Sequence, residues 1–164
     1  MKRVINIDGD HHIVRFCKKR LLIRSADVII GVYPELFHLR PPSMEHPQET
    51  TLSAVYYEFF NGSPQTKMKN CCKAISVSLT PKPKDGLARL NVGLIKEQGT
   101  KRSRPLRVTH EQEDDSPAYS VIRGIPIVPD DELNFLLATV AVIETVLVGS
   151  VLQDEPGIEK PAES

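Results

Sequence analysis

Asp8-Gly9-Asp10-His11-His12 is the densest run of metal-capable side chains in this sequence. Carboxylate and imidazole ligands together suit manganese, zinc or iron, and a strand end is a place where such a site can sit. Asp8, Asp10, His11 and His12 are therefore the candidate ligands of a metal-dependent hydrolase. A solvated turn accounts for the same residues more simply, since Asp-Gly is a strong turn signal. Cys71-Cys72 is the other pair with chemical potential. Lys69 and Lys73 could lower a thiol pKa there. Yet the pair lies on the apolar side of a predicted helix, where cysteine acts as a small hydrophobe.

The tripeptide Asp10-His11-His12 resembles the signature triplet of the DHH phosphoesterases. The resemblance covers three residues and implies a metal-dependent phosphoesterase. The further aspartate motifs of that family are not found in this chain, so no family assignment follows.

Basic side chains suggest a different chemistry. Residues 61–107 hold 11 Lys or Arg against 2 Asp or Glu, and residues 108–164 hold 2 against 12, although the whole chain is neutral. Two regions of opposite charge can face each other or neighbouring copies, or the basic one can meet an anionic partner. Lys67, Lys69, Asn70 and Lys73 share one side of a predicted helix, with Lys82 and Lys84 in a following turn. That order suits a winged helix reading nucleic acid, with Lys101, Arg102 and Arg104 adding phosphate contacts.

The elements that must position these residues are dominated by Leu133 to Leu152. Fourteen of its twenty residues are Ala, Val, Ile, Leu or Phe, and Glu144 is its one charge. Asp130 or Asp131 can cap a helix start, so the run predicts a helix over 131–153, about 33 Å long at 1.5 Å per residue. Asn134, Ala138, Ala141, Thr145 and Gly149 form a small-residue stripe along it, able to admit another backbone closely. The run is long enough to cross a bilayer. Glu144 near its middle, and flanks without Lys or Arg from Gly124 to Glu159, argue for a helix enclosed by protein instead.

Elsewhere the patterning is mixed. Arg3 to Ile7 reads as a strand that turns at Asp8-Gly9 into a second one over 10–16, with Ile5 opposite Ile13. Ala26 to Tyr33 reads as a buried strand ended by Pro34, and 40–48 as an irregular loop. Leu52, Val55, Tyr56, Phe59 and Phe60 follow a helical period, Asn61-Gly62 closes it, and Ser63-Pro64 opens a second helix. The two would form a helical hairpin. Alternation predicts strands at 75–79 and 87–96, then a short strand at 106–108 and a last one at 119–128.

The resulting expectation is an α+β fold: a mostly antiparallel sheet with a helical hairpin and a long apolar C-terminal helix packed on it. It forms one domain over 1–153, followed by a flexible acidic tail over 154–164. No signal peptide is evident, because Met1-Lys2-Arg3 is followed by only four residues before Asp8. Three cysteines, two of them adjacent, fit a reducing, cytoplasmic setting. The leading functional reading is a non-catalytic interaction or assembly subunit. It would associate with a protein partner or further copies through Asn134, Ala138, Ala141, Thr145 and Gly149, without a cofactor. The nucleic-acid-binding regulator and the metal-dependent hydrolase are the alternatives.

Overall fold

The computed structural model describes residues 3–144. Nine strands and three α-helices occur in this span. The strands are β1 (Arg3–Asn6), β2 (His12–Cys17), β3 (Leu22–Ser25), β4 (Val28–Val32), β5 (Leu52–Tyr56), β6 (Gly86–Asn91), β7 (Arg107–Gln112), β8 (Tyr119–Arg123) and β9 (Val142–Glu144). The helices are α1 (Pro64–Ile75), α2 (Val92–Lys101) and α3 (Asp131–Thr139). Seven strands form an antiparallel sheet in the order β1-β7-β8-β5-β2-β6-β9, and β3 and β4 form a separate hairpin.

The central strands bury both faces, and their alternation assigns each side chain to one of two cores. Ile13 and Cys17 of β2, Leu52 and Ala54 of β5, and Ala88 and Leu90 of β6 join Ile95, Leu133 and Leu137 from α2 and α3. Val14, Val55 and Leu87 face the other way, onto Met68, Cys71, Cys72 and Ile75 of α1. Thus α1 covers one face of the sheet, while α2, α3 and the β3–β4 hairpin cover the other.

Several expectations give way to this arrangement. The first two strands are not a hairpin: Ile5 pairs with His110, and Ile13 pairs with Leu90 and Tyr56. Three strands separate β1 from β2, a span of about 19 Å at 4.8 Å per strand. The short connection contains a tight turn, with His11 N–H donating to the Asp8 carbonyl at 3.0 Å. It is therefore not fully extended, and the sheet must curl to bring the two strand ends within reach.

No helical hairpin forms, because 52–56 is a central strand. Its apparent helical period arises because Leu52 and Ala54 enter one core and Val55 the other, and a short run with apolar residues on both faces cannot be told from a helix by periodicity. The second expected helix is present as α1, with Ser63 Oγ accepting from Thr66 N–H at 3.2 Å. It runs through Ile75, where a strand was expected. The strand expected over 87–96 stops at Asn91, whose side chain caps α2 by accepting from Leu94 N–H at 2.9 Å.

The long apolar helix is absent from the described residues. Asp130 caps α3 as expected, accepting from Leu133 N–H at 3.1 Å, but the helix ends at Thr139. Val142–Glu144 then adds a strand to β6. Val140, Val142 and Ile143 are β-branched and fit a pleated edge better than a helix. Glu144 is paired there, with Arg89 Nη1 at 3.0 Å. No helix among the described residues is long and apolar enough to cross a membrane. Residues 145–153 of the expected helix, with Thr145 and Gly149, and the expected tail over 154–164 lie outside the described residues.

Candidate functional site

The residues Asp8 to His12 lie where the β1–β2 connection meets the start of α2. Gly93 N–H donates to the Gly9 carbonyl at 3.0 Å and Val92 N–H to the His11 carbonyl at 2.9 Å. Asp8 and Asp10 are exposed. The two histidines have separate partners. His11 Nδ1 and the Tyr56 hydroxyl share a hydrogen bond of 2.6 Å. His12 donates to Glu58 twice, from its backbone N–H at 2.7 Å and from Nδ1 at 2.6 Å. Among the described residues, no three His, Cys, Asp or Glu side chains gather as a metal-holding group.

Aromatic rings complete this corner. His110 lies 5.0 Å from the Tyr56 ring and 5.7 Å from Phe59, centroid to centroid. Burial, reinforced by Glu58 and Asp8, pushes the Tyr56 hydroxyl above its ordinary pKa. The Glu58 carboxylate thus holds the His12 ring through Nδ1. Sequence reasoning missed Tyr56 and Glu58 as partners because the apolar pattern around them resembled a helix.

The residues expected to meet nucleic acid are divided between the two faces of the sheet. Lys67, Lys69, Asn70 and Lys73 belong to α1, and Lys67 Nζ sits 5.4 Å from the Tyr57 ring centre. Lys101, Arg102 and Arg104 end α2 and its following loop on the opposite side. There Arg102 and Arg104 hold Asp130 at 3.2 Å, Arg102 also reaches Glu132 at 3.3 Å, and Lys101 lies 3.8 Å from Glu97. The wing expected around Lys82 and Lys84 is a turn between α1 and β6.

In the small-residue stripe, Asn134 is buried, and Ala138 and Ala141 pack half-buried against the larger core. These three residues face the chain's own interior. Cys17, Cys71 and Cys72 are buried thiols. Burial pushes Cys17 up to about 12 and Cys71 up as well, so neither is a thiolate near neutrality.

A different set of residues gathers at the end of the sheet where β2 leaves it. A cleft of about 820 Å³ opens between the β3–β4 hairpin and the turn after α1. Lys18, Lys19, Arg20, Arg24 and Lys82 line it, above Phe16, Leu22, Tyr33 and Leu79. Asp85 ties the two sides together: one carboxylate oxygen accepts Lys19 N–H and the other Lys82 N–H, both at 2.8 Å. Arg24 adds a second tie, donating from Nη2 to the Lys84 carbonyl at 3.2 Å. Among the described residues, none of the five cations forms a salt bridge.

Both halves of this cleft are visible in the sequence, as Lys18-Lys19-Arg20 and Lys82-Pro83-Lys84. Their meeting is not, because more than sixty residues separate them and only the fold closes the distance. No family model, curated protein or solved structure matches this chain.

Proposed function

We propose that this chain is a non-catalytic binding module that takes an anionic ligand in the cleft between the β3–β4 hairpin and the 79–85 turn. The observation that carries this reading is the convergence of Lys18, Lys19, Arg20, Arg24 and Lys82 on one concavity without salt bridges among the described residues. Like charges repel, so holding five cations together costs stability unless an anion neutralises them. Asp85, which lines the same cleft, offsets only one of the five charges.

Titration with inorganic tripolyphosphate tests the reading. The wild-type chain is expected to bind it with an affinity that falls as salt rises. Lys18→Glu combined with Arg20→Glu should remove binding, whereas replacing Lys67, Lys69 and Lys73 of α1, which do not line the cleft, by Ala should leave it intact. Binding lost in the α1 triple variant and retained in the cleft variant would sink the reading.

A second reading, assembly with a protein partner or another copy, is favoured by β1. Among the described residues this strand ends the sheet, and its Val4 and Ile5 are 51% and 45% exposed. A sheet edge with apolar side chains is a template for strand addition. A soluble monomer by light scattering at high concentration, unchanged in Ile5→Lys, would count against it for copies of this chain.

A further inference from the structure

The cleft carries more than charge. Tyr33 stands on its wall with 44% of its surface exposed, and Phe16 lies half-buried in the floor. An aromatic ring left open to solvent beside several cations is the combination that proteins use to stack a base while holding its phosphates. Resting on the anion-binding reading, we infer that the cleft binds nucleoside phosphates. The base stacks on Tyr33, and the phosphates lie among Lys18, Lys19, Arg20, Arg24 and Lys82.

Geometry supports the pairing. The Tyr33 backbone is held against the basic segment, because its N–H donates to the Leu21 carbonyl at 2.8 Å. It therefore lies beside Leu21, next to Arg20, though thirteen residues from Arg20 in sequence, and the Tyr33 side chain lines the same cleft as the cations. The arginines present planar, several-donor groups suited to phosphate oxygens, and the lysines add mobile point charges. A volume of about 820 Å³ falls in the range of roughly 300–1,000 Å³ that drug-sized ligands occupy. A nucleotide or an unpaired base of a single strand suits such a space, whereas a base paired within a duplex is not free to stack on Tyr33. A phosphorylated peptide would use the cations and leave Tyr33 without a role.

Fluorescence anisotropy with a fluorescein-labelled thymidine oligonucleotide, compared with an abasic strand of equal length, separates these elements. The base-bearing strand should bind roughly tenfold tighter than the abasic one, the effect of stacking about one base. Tyr33→Ala should reduce the thymidine strand to the abasic level without changing abasic binding, and Tyr33→Phe should restore the difference. Competition by free thymidine monophosphate as efficient as by the unlabelled strand would assign the ligand as a free nucleotide. Weak competition would assign it as a strand. Equal affinity for both strands in the wild-type chain overturns the stacking inference and leaves the anion-binding reading standing. Failure to bind either strand or tripolyphosphate overturns both.

Discussion

Asp85 and Lys19, sixty-six residues apart, are joined by a 2.8 Å hydrogen bond from the Lys19 backbone N–H to the Asp85 carboxylate. The second oxygen of the same carboxylate holds Lys82 N–H at 2.8 Å. One buried acid thus sets the separation of two basic segments that would otherwise repel. Asp85→Ala leaves both donors without their acceptor, which should cost about 1–3 kcal/mol in denaturant unfolding. Tripolyphosphate affinity should fall as well, since the cleft loses its brace. Asp85→Asn retains one acceptor oxygen and should fall between the two. A variant as stable as wild type would show that the brace is dispensable.

The start of α3 should be sensitive to acid. The backbone N–H of Leu133, then Arg102 and Arg104, hold the Asp130 carboxyl below its ordinary pKa. A carboxylate with a lowered folded pKa stabilises the fold above its unfolded value, about 3.9, and that contribution is lost as pH falls through the folded pKa. Asp130→Asn keeps a capping oxygen but not the charge. The stability gap between wild type and Asp130→Asn should therefore be present at pH 7 and narrow only as pH falls below about 3.9. A gap independent of pH would contradict the assignment.

Gly99 gives a prediction whose sign opposes helix propensity. In an exposed helix interior, Gly→Ala gains up to about 1 kcal/mol. Here a Cβ would fall on the Arg104 carbonyl oxygen and 2.7 Å from Leu106 Cγ. Gly99→Ala should destabilise the chain instead, because the obstacle is backbone and cannot rotate away. An unchanged or raised melting temperature would show that the loop after α2 yields.

Native thiols should be inert. With Cys17 pushed up to about 12 by burial and Cys71 raised in the same way, thiolate is scarce near pH 8. A chromogenic disulfide reagent should react slowly with native protein and rapidly with three thiols after denaturation. Fast reaction of one equivalent in the native state would reveal an accessible cysteine.

These elements also show what the sequence could carry. The α+β class, the antiparallel sheet, the caps at Ser63 and Asp130 and the apolar face of α1 were all legible, because each rests on local chemistry. The strand at 52–56 was not. Leu52 and Ala54 face one core and Val55 the other, and apolar residues on both sides obscure the alternation that separates strand from helix. The end of α3 was hidden for a similar reason: a continuous apolar run does not reveal that the open edge of β6 takes up Val142–Glu144. In the candidate site, the basic triplet and the Lys82 turn stood out singly. Their common cleft depends on Asp85 and on a chain reversal that no local pattern encodes.

The most direct test of the anion cleft is a tripolyphosphate titration followed by backbone amide chemical shifts. Shifts should concentrate at Lys18–Arg20, Arg24, Tyr33 and Lys82–Asp85, with α1 residues 67–73 unaffected. Shifts confined to α1, or none at concentrations that saturate ordinary phosphate sites, would contradict it.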